Sequence, residues 1–121
     1  YVVCAPGGRV GEVGKADLLE ADQTDRASAY AMTAESYGFE LLYLEAGSGA
    51  TTPVSEELIR AARNSCNLTL VVGGGIRDGE AARKAVQAGA DWIVTGNLTE
   101  SFDDADELQR VLTEFITTMN S

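Results

Sequence analysis

Four short apolar runs alternate with four helical patterns along this chain, and that alternation limits the folds open to it. The apolar runs cover residues 1–5, 41–45, 68–72 and 92–95. Apolar residues recur at helical spacing within residues 25–37, 55–64, 78–88 and 103–119. The third run is apolar except at Thr69, as expected for a strand buried on both faces. The alternation predicts an α/β protein with four βα units around a parallel sheet.

Two architectures fit this pattern, a doubly wound open sheet and a segment of a (β/α)8 barrel. Both bind ligands at the carboxyl ends of their strands. Four unusual loops fall at those ends: "APGG" at 5–8, "EAGSG" at 45–49, "GGGIR" at 73–77 and "TGN" at 95–97. We therefore expect the function of the chain to be carried by these loops.

The two glycine loops near residues 73–75 and 96–97 predict a phosphate site. Glycine has no Cβ, so its backbone N–H groups can approach a ligand closely. Barrel enzymes often bind phosphate with the loops after strands 7 and 8 and a short extra helix, for which residues 98–101 are the candidate. The alternative is that these glycines serve only tight turns.

Glu45 is the strongest candidate for a ligand-contacting side chain. It ends a predicted buried strand, where an acid without a role would be unfavourable. Tyr43 has the same parity and points to the same face. The alternatives are that Tyr43 belongs to the core and that Glu45 pairs with an arginine such as Arg77.

Composition excludes several functions. The chain has no histidine, which excludes Ser-His-Asp and Cys-His hydrolases. Cys4 and Cys66 lack metal-site spacing, so we expect reduced core residues. A net charge of -10 argues against a nucleic-acid partner. No run is long enough to span a bilayer and no leader is present, so a cytoplasmic location without a transmembrane segment is expected.

Several segments resemble the C-terminal half of geranylgeranylglyceryl phosphate synthases. They are "YLEAGSG" at 43–49, "VGGGIR" at 72–77 and "AGADWIVTGN" at 88–97. The opening "YVVCAPGGRVGEVGKADLLEAD" is similar to the fifth strand and following loop of that family. The glycine motifs occur in many phosphate-binding barrels, whereas "YLEAGSG" is far more specific. The resemblance implies that residues 1–121 are four βα units of a TIM-like (β/α)8 barrel.

The resemblance also implies an activity and a site. The family transfers a geranylgeranyl group from its diphosphate to sn-glycerol 1-phosphate, using Mg2+, in archaeal ether-lipid biosynthesis. Glu45 would be the catalytic residue, orienting the acceptor hydroxyl or taking its proton. The residues implied to surround sn-glycerol 1-phosphate are Tyr43, Leu44, Glu45, Ala46, Gly47, Ser48 and Gly49. Those implied to hold its phosphate are Gly74, Gly75, Gly96 and Asn97.

The chain departs from the family at its start. It begins at Tyr1 inside an apolar run, so we expect a partial barrel domain that lacks the N-terminal strands. The family's Mg2+ ligands lie on those strands, so no metal ligand is expected in this chain and the piece alone is expected to be inactive. Full-length members are commonly homo-oligomers. The alternatives are another phosphate-binding barrel isomerase or synthase, and a non-catalytic phosphate-binding module.

Overall fold

The computed structural model describes the whole chain, residues 1–121, as strands that alternate with helices. The strands are β1 (Val2–Val3), β2 (Leu41–Glu45), β3 (Thr69–Gly73) and β4 (Trp92–Val94). The helices are α1 (Gly8–Gly14), α2 (Thr24–Ser36), α3 (Glu56–Ser65), α4 (Gly79–Ala88), α5 (Asn97–Glu100) and α6 (Ala105–Met119).

The four strands form one parallel sheet in the order β1-β2-β3-β4. In the register, Glu45 lies beside Val3 on one side and beside Gly73 on the other. A doubly wound sheet reverses its strand order at a switch point, and this sheet has no reversal. The sequential order is that of a barrel segment, and the predicted parallel α/β sheet is confirmed.

The two faces of the sheet have different surroundings. Leu42, Leu44, Leu70 and Val72 are buried and belong to one core cluster with the apolar residues of the helices. Helices α2, α3, α4 and α6 pack against one another in that order. On the opposite face Trp92 is largely exposed. One face is therefore covered by helices, and the other corresponds to a barrel interior.

Local sequence signals set where α3 and α4 begin. Ser55 precedes α3 and its side chain accepts a hydrogen bond from the N–H of Leu58. Asp78 precedes α4 and accepts one from the N–H of Ala81. Both side chains satisfy first-turn donors that a helix leaves free. Short helix α5 lies where a single helical turn was predicted after the last strand.

Helix α1 was not predicted, because its sequence gives little local support for a helix. Gly7 precedes it without a side-chain cap, and the helix contains Gly8, Gly11 and Gly14, which are poor helix formers. Tertiary packing supports it instead: a Cβ on Gly11 would lie 2.9 Å from Leu18 Cδ2. None of the six helices has both the length and the apolar character needed to span a bilayer.

Candidate active site

Three of the predicted loops meet at one small cavity beyond the carboxyl ends of β2, β3 and β4. Its volume is about 180 Å³, which is below the range typical of drug-sized ligands and suits a small metabolite. No lysine or arginine lines it. The predicted site residues that line it are Tyr43, Glu45, Ser48, Gly49, Gly74, Gly75, Gly96 and Asn97.

Glu45 is held in place by its neighbours on β2 and in the next loop. It is the last residue of β2 and is 8% exposed. Its Oε1 accepts a hydrogen bond of 2.6 Å from the N–H of Gly47. It is the one acidic side chain among the residues that line the cavity. The structure thus presents a single oriented carboxylate to this space, and it does not pair with Arg77.

Tyr43 lies beside this carboxylate on the same face of β2. Burial raises the pKa of the Tyr43 phenol, and a hydrogen bond with Glu45 raises it further. The ring also packs edge-on against Tyr1, with ring centroids 4.9 Å apart. Tyr43 is therefore held as a neutral hydrogen-bond donor next to Glu45.

The structure explains why glycine, and no larger residue, occupies two of the positions that line the cavity. Gly74 and Gly75 have φ values of 83° and 72°, which favour glycine. A Cβ on Gly75 would lie 2.8 Å from Thr52 O, and one on Gly74 would overlap Glu45 and Gly47. Protein neighbours thus account for both glycines.

Gly96 is different, because nothing in the protein requires a glycine there. Its φ is -110°, an ordinary value. A Cβ at this position would meet only Glu100 Oε1, at 3.7 Å, which is normal van der Waals contact. The missing side chain leaves free space at the wall of the cavity, as a site for a closely bound ligand requires.

Three of the predicted contact residues do not line the cavity. The side chains of Leu44 and Ala46 are buried in the core cluster. Gly47 packs against the first loop, where a Cβ would lie 2.6 Å from Gly8 N. A ligand contact by these residues stays a prediction, and it would have to come from their backbone.

Arg77 connects two of the loops, a role that sequence reasoning missed. Its guanidinium Nη2 donates to the carbonyl oxygens of Gly49, at 3.2 Å, and Ala50, at 3.0 Å. A similar link comes from Thr95, whose hydroxyl donates to the carbonyl oxygen of Ile76 at 2.9 Å. The only sequence signal was the position of Arg77 directly after the glycine loop.

The chain contains no group of three or more His, Cys, Asp or Glu side chains that could hold a metal ion. Mg2+ prefers six oxygen ligands, usually with one or two carboxylates from the protein. Glu45 alone, already bound to Gly47 N–H, does not meet that requirement. The residues present therefore do not fit a magnesium site.

Comparison with known proteins identifies the family. The model of the PcrB family matches residues 1–118. The chain belongs to the PcrB family. Among curated relatives, geranylgeranylglyceryl phosphate synthase from Thermoplasma volcanium is 46% identical over 110 residues, which cover 91% of this chain and 44% of that protein. The enzyme of the same name from Methanothrix thermoacetophila is 53% identical over 105 residues, covering 86% of this chain and 41% of that protein.

The fold also matches solved structures of geranylgeranylglyceryl phosphate synthases. A crystal structure of (S)-3-O-geranylgeranylglyceryl phosphate synthase from Thermoplasma acidophilum, in complex with substrate sn-glycerol-1-phosphate, superposes with a TM-score of 0.91 and 40% identity. The match covers 98% of this chain and 47% of that one. The resemblance and the half-barrel of TIM type predicted from the sequence are confirmed. The chain spans less than half the length of the curated relatives it matches.

Proposed function

We propose that the protein containing residues 1–121 transfers a geranylgeranyl group from its diphosphate to sn-glycerol 1-phosphate, in archaeal ether-lipid biosynthesis. The observation that carries the proposal is the cavity where Glu45 meets the glycine loops of a PcrB-family chain. A similar structure was solved with sn-glycerol-1-phosphate bound.

The phosphate of the acceptor would be bound by backbone groups rather than by cations. The net charge is -10 and no basic side chain lines the cavity. Gly74, Gly75, Gly96 and Asn97 line it from two adjacent loops. Gly96 leaves free space without a structural reason, and free N–H groups in such loops favour anions.

Glu45 would act on the acceptor hydroxyl. Its Oε1 is fixed by Gly47, which leaves the other lone pairs of the carboxylate free to accept a hydrogen bond from the substrate. In the reaction the hydroxyl oxygen forms a bond to prenyl C1 as the bond from C1 to the diphosphate oxygen breaks. The proton of the hydroxyl passes to Glu45 or to the departing diphosphate. Glu45 orients the nucleophile in either case.

The remaining proposals concern the whole protein. We propose that residues 1–121 form the C-terminal half of one barrel domain, because the matched relatives are more than twice as long. An apolar groove of about 490 Å³ lies beside β1, and Tyr1, Val3 and Leu41 are among the residues that line it. A preceding strand and helix would cover this groove and the outer edge of β1, which has only the short bridge to Leu19.

Other properties of the whole protein follow from the same proposal. We place any Mg2+ ligands on the N-terminal strands and propose a homo-oligomer, as the family resemblance implies. A cytoplasmic location is supported by the two buried, unpaired thiols of Cys4 and Cys66, which are typical of reducing compartments.

The test is a chimeric barrel. The N-terminal half of the Thermoplasma acidophilum relative would be fused to residues 1–121 and assayed for transfer of the prenyl group to sn-glycerol 1-phosphate. We expect ether product from the chimera and far slower formation of it by the Glu45→Gln variant. A folded chimera that binds phosphate esters without turnover would favour the non-catalytic module. Turnover of a phosphorylated sugar or amine instead would favour the isomerase or synthase alternative.

A further inference from the structure

Gly73 is the last residue of β3 and lies directly beside Glu45 in the parallel register. Its backbone is not in the left-handed region, since its φ is not among the positive values. Strand conformation would accept any side chain, so the glycine needs another explanation. Gly73 is buried, and the neighbouring side chains supply that explanation.

A side chain on Gly73 would enter space that the Tyr43 and Glu45 side chains now occupy. A Cβ built on this residue would lie 2.5 Å from Tyr43 Oη, 3.2 Å from Tyr43 Cε2 and 3.2 Å from Glu45 Oε2. Real Cβ atoms do not approach other heavy atoms to 2.5 Å, so even alanine would displace the phenol. The same distances show that Tyr43 Oη and Glu45 Oε2 lie together above the Cα of Gly73.

The Tyr43 ring also has a neighbour from the start of the chain. Its ring packs edge-on against Tyr1 at 4.9 Å between centroids. Tyr43 is therefore close both to Tyr1, which precedes β1, and to Gly73 at the end of β3. Because Tyr43 Oη and Glu45 Oε2 both lie next to the Cβ position of Gly73, a shift of the phenol changes the surroundings of the carboxylate, whose one hydrogen bond within the protein comes from the N–H of Gly47.

We propose that Gly73 is a positioning residue of the acceptor site: the absence of its side chain allows Tyr43 to contact Glu45 and hold the carboxylate toward the cavity. Gly73 itself touches no substrate in this account. The prediction for acceptor binding rests on the proposed function, whereas the arrangement of the three residues does not.

The test is a double-mutant cycle with Gly73→Ala and Tyr43→Phe. Tyr43→Phe removes the phenol oxygen that would lie 2.5 Å from an alanine Cβ at position 73. The alanine should therefore be tolerated much better with Phe at position 43. The matched control is Gly14→Ala, because a Cβ on Gly14 would meet no atom within 4 Å. Each variant is studied in residues 1–121 and in the chimeric barrel.

Two readouts separate positioning from loss of folding. The first is the ¹³Cζ resonance of Tyr43 in tyrosine-labelled protein, assigned by its loss in Tyr43→Phe and followed as the pH is raised. In Gly73→Ala we expect this resonance to titrate at lower pH than in the wild type, since the phenol leaves its partly buried position beside the Glu45 charge. The second is calorimetric affinity for sn-glycerol 1-phosphate, which should fall about tenfold in Gly73→Ala but less than about threefold when the alanine is added to Tyr43→Phe.

The outcomes distinguish this inference from the proposed function. Unchanged titration of Tyr43 in Gly73→Ala, or an equal loss of affinity in both backgrounds, would overturn it. An equal fall in melting temperature in both backgrounds, with Tyr43 titration unchanged, would show a purely structural glycine. If the wild type does not bind sn-glycerol 1-phosphate, the proposed function fails, and the Tyr43 titration alone still decides whether Gly73 positions this side chain.

Discussion

Replacing Arg77 by methionine tests whether the link between two loops shapes the cavity. Methionine keeps much of the aliphatic stem and removes the hydrogen bonds to Gly49 O and Ala50 O. A hydrogen bond from a charged donor typically contributes about 1.5–3 kcal/mol. Arg77 is exposed and a single nitrogen donates to both carbonyls. We therefore expect the two hydrogen bonds together to stabilise the fold by only about 1–1.5 kcal/mol, at or just below the lower end of that range.

Loss of these hydrogen bonds should lower both the free energy of unfolding and the affinity for the ligand. Urea unfolding followed by circular dichroism should give a free energy of unfolding lower by about 1 kcal/mol, with an unchanged m-value. If the hydrogen bonds hold residues 47–50 in the binding conformation, affinity for sn-glycerol 1-phosphate should fall by up to about tenfold.

The control is Arg60→Met, which removes an ion pair with Glu56 on the outer surface of α3. An exposed pair of this kind contributes about 0.3–0.5 kcal/mol, and Arg60 neither lines the cavity nor binds a loop carbonyl. If Arg77→Met were no more destabilising than Arg60→Met, and bound the ligand as the wild type does, the reasoning about the link would be refuted.

Three further perturbations test other parts of the account. In the chimeric barrel, Glu45→Gln should lower kcat by on the order of 10²–10⁴ with little change in KM; undiminished transfer would remove Glu45 from the chemistry. Burial and the nearby charge of Glu45 raise the pKa of the Cys4 thiol to about 12 from an ordinary value of 9.0. Above about pH 9 the unfolded chain therefore loses this thiol proton while the folded chain retains it. The stability that the buried neutral thiol contributes is complete below that pH, and the free energy of unfolding decreases by about 1.4 kcal/mol per pH unit as the pH rises toward 12. Urea titrations at pH 8, 9 and 10 should show this slope, and Cys4→Ala should flatten it; an identical slope in the variant would contradict the assignment. Asp78→Ala should cost about 1 kcal/mol of stability through loss of the α4 cap, whereas Asp78→Asn should not, and equal melting temperatures for the two would argue against capping.

The parts of the fold that follow from local rules could be predicted from the sequence. The run "LLYLE" predicted β2 with the bounds that the structure shows, Leu41–Glu45. Ser55 and Asp78 are residue types that favour the N-cap position, and both act as caps in the structure. Strand alternation and caps are local signals, and these elements also satisfy the packing of the core.

The features that could not be predicted from the sequence depend on contacts between residues that are far apart in the chain. Helix α1 has weak local propensity and is supported by Leu18. Arg77 binds carbonyls of the loop after β2, a choice that only the relative position of the two loops determines. Glycine at position 73 was part of a predicted phosphate loop, whereas the structure shows that Tyr43 and Glu45 leave no room there for a side chain.

We propose that this half-barrel carries an acceptor site for sn-glycerol 1-phosphate. The most direct measurement is calorimetric titration of the chain with that compound, with its mirror image sn-glycerol 3-phosphate and with inorganic phosphate. We expect measurable binding of sn-glycerol 1-phosphate and clearly weaker binding of the other two. Equal affinity for all three, or no binding by a folded chain, would contradict it.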